Sequence, residues 1–262
     1  MKLELLHQAS KGNTKATPIL FVHGKWHGAW CWQDHFMPYF AGQGYDIHAV
    51  SLRGHGESEG REKLRWHSIA DYADDVHWAV EQIGTPPIII GHSMGGFITQ
   101  KYLETNQAPA AALLTPVPYY GLWGVTLNLL RRHPWMVIKA IATLSLYPVV
   151  ETPELAREGL FSRDFPPDTL DKYYKQLQDE SFRAYLDELG LNLVRPNRVK
   201  TPILVIGAED DTVVPLKSIY KTAHAYQSEP IVIPNMAHAA MLESNWQIAA
   251  DHILKWLQEK GL

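Results

Sequence analysis

Short apolar runs alternate with longer amphipathic stretches along the first half of the chain and again near its end. The first run extends from Pro18 to His23 and stops at Gly24, which is typical of a strand buried on both faces. Similar runs predict five more strands, over residues 45–52, 87–91, 110–115, 201–207 and 230–234. Because strands and helices alternate with short links, we predict an α/β fold with a mainly parallel central sheet and helices on both faces.

The amphipathic stretches show helical spacing. Between Ser68 and Ile83, apolar side chains recur every three or four residues, and the Ser68 hydroxyl is suited to cap the first turn. Further helical stretches follow the predicted strands, including residues 94–104 and, as the last of them, residues 244–258. These helices supply the outer layers that a buried parallel sheet requires.

One segment, residues 116–197, interrupts this alternation, because it contains no clean strand and its helical patches are separated by prolines. We predict that it is a helical cap inserted between two strands of the sheet. Residues 1–115 and 198–262 then form the core of the fold. The first half of the segment is unusually apolar, and packing of the cap onto the core is the favoured explanation for most of those side chains.

Composition excludes several classes of protein. The 262 residues are 46% apolar and 20% charged, with a net charge of −4, so the chain is too apolar and too weakly charged to be disordered. The slight negative charge gives no electrostatic reason to expect nucleic-acid binding. The single cysteine, Cys31, excludes an intramolecular disulfide framework and a cysteine-based zinc site.

Neither a signal peptide nor a membrane-spanning helix is expected. The first residues have no long apolar core, and the longest uncharged stretch, 105–130, is interrupted by prolines and glycines. We therefore expect a soluble, cytoplasmic protein, either a monomer or a homodimer. Residues 133–150 contain one full charge, Lys139, so contact with a membrane or a second subunit stays open beside the favoured alternative, cap packing.

A glycine-rich turn joins the predicted strand 87–91 to the following helix and has the sequence Gly91-His92-Ser93-Met94-Gly95. Such a turn raises the Ser93 hydroxyl above the sheet edge, while its glycines relieve backbone crowding. It also directs the first N–H groups of the helix at a developing anion. We therefore predict that Ser93 is a nucleophile. The alternative is a glycine-rich turn in which serine serves only as a cap.

A serine nucleophile needs a base and an acid that orients the base. Among the 13 histidines, His238 is favoured because it follows the last predicted strand and so reaches the same sheet edge as Ser93. Three consecutive carboxylates, at 209–211, follow another strand at that edge. The interval from Asp211 to His238 accommodates one helix and one strand, which would place the two loops side by side. A solvated acidic turn is the alternative for these carboxylates.

The loop that closes the first strand, residues 23–28, lies at the same edge. We predict that the backbone N–H groups of Lys25 and Met94 together form an oxyanion hole. His23 and His27 are four residues apart and could suggest a metal site. A strand end followed by glycine does not keep them on one face, and no third ligand is evident, so no metal is expected.

The residues named above match, in order and spacing, the α/β-hydrolase superfamily, which this chain resembles along nearly its whole length. The matching features are the His23-Gly24 turn, the loop 53–58, the Ser93 turn, Asp211 with its Pro215, and His238. The resemblance implies a mostly parallel sheet with a helical cap. It also implies that Asp211, rather than Asp210, is the acid, since the family acid stands four residues before that proline.

Residues 23–32 also resemble the methylesterase and hydroxynitrile lyase branch of that superfamily. Lyase members carry lysine after the catalytic histidine and tend to have cysteine after the nucleophile, where this chain has Ala239 and Met94. Cyanohydrin chemistry is therefore not expected. Ser51 stands where many members have aspartate, in a loop that the resemblance marks as structural.

These inferences predict a cofactor-free serine hydrolase that cleaves a carboxylic ester with an apolar acyl or alcohol part through an acyl-enzyme. The substrate would be a small apolar molecule, and the residues expected to contact it are Trp26, Trp123, Leu127 and Trp135. A thioesterase or a carbon–carbon bond hydrolase could use the same triad. A small-molecule receptor that has kept the fold without catalysis is a further alternative.

Overall fold

A seven-stranded sheet forms the centre of the computed structural model, which describes residues 1–262. The strands are β1 (Leu5–Gln8), β2 (Ile19–Val22), β3 (Ile47–Val50), β4 (Ile88–His92), β5 (Ala111–Leu114), β6 (Ile203–Ala208) and β7 (Ile231–Ile233). Their order across the sheet is β1-β3-β2-β4-β5-β6-β7, and only β1 pairs in the antiparallel direction. The predicted mainly parallel sheet is thus confirmed.

The edge strand β1 was missing from the predicted elements. It is as long as the inner strands β2, β3 and β5, but none of its four residues is fully buried and it ends in His7 and Gln8, so it lacks the continuous buried apolar run that marks the inner strands. The strand predicted over 45–52 is shorter, because β3 spans only Ile47–Val50. The edge position of β1 and the polar residues it tolerates there account for its absence from the prediction.

The structure contains ten α-helices, of which α1, α2, α3, α9 and α10 pack on the sheet. They are α1 (Phe36–Gly42), α2 (Ile69–Ile83), α3 (Met94–Tyr102), α4 (Trp123–Arg132), α5 (Pro134–Thr143), α6 (Pro153–Leu160), α7 (Pro167–Tyr174), α8 (Phe182–Leu186), α9 (Leu216–Ala225) and α10 (Trp246–Glu259). A π-helical turn, Asp187–Leu191, continues α8. None of the ten combines the length and the apolar character needed to cross a bilayer.

Alternate residues of β2 show how the layers are arranged. Ile19 and Phe21 pack into a core with residues of α1 and α10, whereas Leu20 and Val22 pack into a second core with residues of α2, α3 and α9. Both faces of the sheet are therefore covered, as the continuous apolar run predicts.

Helix α2 begins where the sequence predicts. The Asp71 N–H donates to the Ser68 hydroxyl (3.1 Å), and the Ser68 N–H donates to the Asp71 carboxylate (2.8 Å), which together form a capping box. Arg53, in the loop after β3, pairs with Asp71 and Asp75 and thereby fixes that loop to α2.

Helices α4 to α8 all lie between β5 and β6, in residues 116–197, which we call the insertion. The helical character of this segment agrees with the sequence analysis. Its division from the core, residues 1–115 and 198–262, as a separate cap stays a prediction. Helix α4 buries none of its residues, which makes it the most exposed helix of the insertion.

The carboxyl ends of the parallel strands meet at one edge of the sheet, where the loops after β2, β4, β6 and β7 come together. Ser51, at the end of β3, is buried nearby and accepts a hydrogen bond from the Ala29 N–H (2.8 Å). Its side chain thus serves the packing of these loops, in agreement with the structural role predicted for it.

Candidate active site

Ser93 alone forms the turn between β4 and α3. Its backbone angles, φ 51° and ψ −117°, lie in a region that L-residues rarely occupy, so the turn is strained. Two glycines make it possible, since a Cβ on Gly91 would stand 2.5 Å from the Gly95 carbonyl oxygen, and one on Gly95 would collide with the Val22 carbonyl. The backbone therefore holds the Ser93 hydroxyl in a fixed position at the sheet edge.

The structure brings Ser93, His238 and Asp211 together in one hydrogen-bonded chain. The Ser93 hydroxyl donates to Nε2 of His238 (2.8 Å), and Nδ1–H of His238 donates to an Asp211 oxygen (2.8 Å). All three side chains are nearly inaccessible to solvent. The bond to Asp211 sets the tautomer in which Nε2 is free to accept a proton.

The neighbouring carboxylates do not share this position. The second oxygen of Asp211 accepts the N–H groups of Val213 and Val214, both at 2.8 Å, so its carboxylate is fully bonded. Glu209 and Asp210 are exposed to solvent. Asp211 is therefore the carboxylate that contacts His238.

Two further side chains hold the backbone of His238. Its carbonyl accepts hydrogen bonds from Nε2–H of His92 and from the Thr115 hydroxyl, each at 2.9 Å. Burial lowers the pKa of His92 well below its usual value, and a positive charge on His238 would lower it further. His92 therefore stays neutral and donates steadily to the loop that carries His238.

His23 and His27 are also buried and neutral. Nδ1–H of His23 donates to the Gly24 carbonyl (2.8 Å), and Nδ1–H of His27 donates to the Lys25 carbonyl (2.6 Å). Burial lowers the pKa of His23 to about 3 and that of His27 to about 4. Their bonds shape the loop after β2.

The backbone N–H of Lys25 makes no hydrogen bond within the protein. Met94 is the first residue of α3, where a helix offers its N–H no internal partner. Both N–H groups belong to segments that flank Ser93, because the loop after β2 packs directly on the Ser93 turn at Gly24. The sheet edge thus provides a hydroxyl, an imidazole, a carboxylate and free backbone donors.

The chain matches the family described as "Alpha/beta hydrolase family" over residues 19–251. It belongs to the alpha/beta hydrolase family. One relative is a monoacylglycerol lipase of Mycolicibacterium smegmatis, 24% identical over 242 residues, which are 85% of this chain and 81% of the relative.

A second relative of this alpha/beta hydrolase is a non-heme chloroperoxidase of Streptomyces lividans, 32% identical over 111 residues, which are 41% of this chain and 39% of the relative. Among solved structures, a monoacylglycerol lipase of Paleococcus ferrophilus superimposes with a TM-score of 0.73 at 19% identity, covering 99% of this chain and all of the other (100%). The fold is shared, while the named activities of these relatives differ.

An open pocket adjoins Ser93 in this alpha/beta hydrolase. Its walls are mostly hydrophobic and come largely from the insertion, including Leu122, Leu129, Val137, Leu146 and Phe182. One part of the lining is polar. There, Glu158 accepts a hydrogen bond from Nε2–H of His133 (3.0 Å) and pairs with Arg132.

The four predicted substrate contacts separate into two groups. Trp26 is buried and lines the pocket. Trp123, Leu127 and Trp135 do not line it, and they are 59%, 47% and 80% exposed. They lie on the outer face of α4 and α5, whereas Leu129 and Val137 face the pocket. The structure thus places Trp26 beside the pocket and the other three predicted contacts outside its wall.

Several residues around the site were missed by the sequence analysis. His92 and Thr115 each bond to His238, and the side chain of Lys25 pairs with Glu188 of the insertion. His92 stands inside the Ser93 motif, which is a signal that could have identified it. Glu188 carries no such signal, because an acidic residue in a helical segment is usually a solvated one.

Proposed function

We propose that this protein is a cofactor-free serine hydrolase that cleaves a carboxylic ester with an apolar acyl or alcohol part. The observation that carries the proposal is the chain of 2.8 Å hydrogen bonds from Asp211 through His238 to Ser93, next to a mostly hydrophobic pocket. A serine hydroxyl is a weak nucleophile until a base removes its proton, and this chain supplies the base.

In this mechanism, Ser93 Oγ attacks the ester carbonyl while Nε2 of His238 takes the hydroxyl proton. His238 then passes this proton to the oxygen of the leaving alcohol, and an acyl group stays on Ser93. Water, deprotonated by His238, releases the acid and restores the serine. Asp211 keeps its charge throughout and stabilises the imidazolium that forms in each step.

The tetrahedral intermediates carry a negative oxygen, and the N–H groups of Lys25 and Met94 would donate to it. Both are backbone donors on segments that flank Ser93, so little reorganisation is needed as the charge develops. The strained Ser93 turn supports this role, since it joins β4 directly to α3 and so places the hydroxyl and the first N–H of α3 at the same edge of the sheet.

The pocket supports an amphiphilic ester as the substrate. Its hydrophobic walls suit an acyl chain, and its polar part around Arg132, His133 and Glu158 suits a polar alcohol. Two of the similar proteins are named monoacylglycerol lipases, which is consistent with this chemistry. We therefore propose a monoacylglycerol or a medium-chain ester, bound under residues 116–197 acting as a cap. A cytoplasmic location and a monomeric or homodimeric state complete the proposal.

A panel of substrates tests the proposal. Purified protein is assayed with p-nitrophenyl esters of graded chain length, with monoacylglycerols and with acyl-CoA thioesters, always beside the Ser93→Ala variant. We expect Ser93-dependent hydrolysis of esters that improves from acetyl to medium-chain acyl groups. Faster turnover of thioesters, or a carbon–carbon bond substrate cleaved in place of esters, would replace the ester assignment. Ligand binding without turnover would indicate a receptor.

A further inference from the structure

The side chain of Lys25 forms a buried ion pair with the insertion. Lys25 is only 7% exposed, and its ammonium group donates to the carboxylate of Glu188, which is wholly buried in the π-helical turn after α8. Lys25 is the hydrogen-bond partner of this carboxylate, since the other Glu188 side-chain oxygen makes no hydrogen bond.

Such a pair is a poor source of stability. Removing two charges from water costs several kcal/mol per ion, and the mutual attraction of the charges often only offsets that cost. The desolvation is visible at Glu188, where burial raises the carboxyl pKa to about 7 despite the opposing effect of Lys25. What the pair does provide in this protein is a direct contact between the loop after β2 and the π-helical turn of the insertion.

The loop around Lys25 is fixed to the insertion at two further points. The Gln178 N–H donates to the Trp26 carbonyl (3.0 Å), and the Trp26 indole N–H donates to the Leu146 carbonyl (3.2 Å). Trp26 has a positive φ of 65°, so the chain turns sharply directly after Lys25. His27 holds the Lys25 carbonyl from within the loop.

Hydrogen bonds therefore hold the carbonyl and the side chain of Lys25 and the residue that follows it, but not the Lys25 N–H. The carbonyl is held by His27, the next residue by Gln178, and the side chain by Glu188. The N–H makes no bond within the protein and belongs to the segment beside Ser93. We infer that Glu188 is a positioning residue, which acts through the Lys25 side chain to aim the Lys25 N–H at the oxyanion. This inference rests on the proposed function.

The Glu188→Gln variant tests the inference, because it keeps the side-chain shape and removes the charge. Complete loss of an oxyanion donor lowers turnover by about 10²–10³. For a donor that is displaced rather than removed, we expect kcat on a p-nitrophenyl ester to fall by roughly 10-fold, with KM changed less than 2-fold. This assay should use the p-nitrophenyl ester that the wild type hydrolyses fastest in the substrate panel.

A second readout reports on the oxyanion directly. A trifluoromethyl ketone adds to an active-site serine and forms a hemiketal whose oxygen occupies the oxyanion position. Its affinity should fall in Glu188→Gln by the same factor as kcat. The matching methyl ketone, which does not add to serine, should bind unchanged. A purely structural role for Glu188 would not separate these two ketones.

Glu180→Gln is the matched control. Glu180 is an equally buried carboxylate of the insertion, but it bonds to His55 (3.1 Å) and to the Tyr72 hydroxyl (2.9 Å) and not to Lys25. We expect this variant to lower the melting temperature while leaving the ratio of the two ketone affinities unchanged.

A double variant covers the possibility that Glu188→Gln does not fold. Lys25→Met with Glu188→Leu removes both charges and refills the volume, which is often neutral or stabilising for a buried pair. It should fold, and it should show the same loss of trifluoromethyl ketone affinity.

Three results overturn the inference. Unchanged trifluoromethyl ketone affinity in the Glu188 variants would show that the pair does not position the donor. An equal loss in Glu180→Gln would show a general structural effect. If wild-type Ser93 neither reacts with a fluorophosphonate nor hydrolyses any ester, the proposed function fails and this inference with it. If the wild type is labelled and hydrolyses esters, and the Glu188 variants show no loss of turnover or of trifluoromethyl ketone affinity, this inference fails while the proposed function stands.

Discussion

The sheet edge around Ser93 and the pair of helices α4 and α5 are opposite in construction. At the sheet edge, the side chains of Ser93, His238 and Asp211 are buried and bonded, on backbone that glycines allow to pack closely. Helix α4 buries no residue, and Trp135 of α5 is 80% exposed. The rigid edge is suited to the chemical steps, whereas the helices form a pocket wall that can vary without disturbing them.

This contrast predicts the effects of substitutions in the two regions. Changes at the sheet edge should abolish turnover with little change in substrate affinity. Changes on the inner faces of α4 and α5 should alter which substrates are accepted, and changes on their outer faces should have small effects on both.

The largest effect is expected at Ser93. Ser93→Ala removes the nucleophile and should lower kcat by about 10⁶, as for other triads that act as a unit. The melting temperature should change little or rise, since alanine removes only a hydroxyl from a strained turn. Ester turnover by this variant above one thousandth of the wild-type rate would contradict the mechanism.

The second-largest effect on turnover is expected at Asp211, the acid that orients His238. Asp211→Asn preserves the shape but can favour the wrong histidine tautomer, and we expect kcat to fall by about 10⁴. Asp210→Asn is the matched control, because Asp210 is adjacent and exposed, and it should stay within 3-fold of the wild type. A crippled Asp210→Asn beside an active Asp211→Asn would reverse the assignment.

Acid should destabilise the loop at the sheet edge. Burial lowers the pKa of His27 to about 4, whereas an unfolded histidine titrates near 6.5. The unfolded chain therefore binds a proton that the native state excludes between these values. The stability contributed by neutral His27 is complete above pH 6.5 and declines by about 1.4 kcal/mol per pH unit towards pH 4.

The His27→Gln variant isolates this contribution. Its free energy of unfolding, measured in urea from pH 4.5 to 7.5, should fall less steeply below pH 6.5 than that of the wild type, by about 1.4 kcal/mol per unit. His224→Gln, at an exposed position, should keep the wild-type slope. Identical slopes for His27→Gln and wild type would contradict a buried, neutral His27.

The smallest effect separates the two faces of α5. Val137 lines the pocket and Ile138, the next residue, is 50% exposed outside it. Val137→Phe should narrow the pocket and reduce kcat/KM for long-chain esters by about 10-fold (one or two methylenes of binding) while sparing the acetyl ester. Ile138→Phe should change neither value more than 2-fold. Similar chain-length profiles for the two variants would contradict this placement of the pocket wall.

The same contrast explains what the sequence could predict. Ser93, Asp211 and His238 stand in loops that follow predicted strands, and the carboxyl ends of parallel strands meet at one edge, so the strand pattern predicted that these loops would come together. The choice of Asp211 over Asp210 came from the family resemblance. Trp123 and Trp135 stand on short helices with apolar residues around much of their circumference. Periodicity then does not indicate which face looks inward.

The sequence analysis also did not predict the buried contacts of charged side chains. The Lys25–Glu188 pair and the Glu180–His55 contact join residues more than 100 positions apart in the sequence. In the sequence alone, none of these four residues differs from a solvated polar residue, because the contacts form only when the insertion packs on the core. Contacts of this kind depend on tertiary structure, so the local pattern of hydrophobic and polar residues does not predict them.

The most direct test of the account is the reaction of the protein with a fluorophosphonate, followed by peptide mass spectrometry. We predict one adduct, on Ser93, which is lost when the protein is unfolded beforehand and is strongly slowed in His238→Ala. An intact protein that leaves Ser93 unmodified, or one that reacts equally well without His238, would contradict the claim that the sheet edge activates this serine.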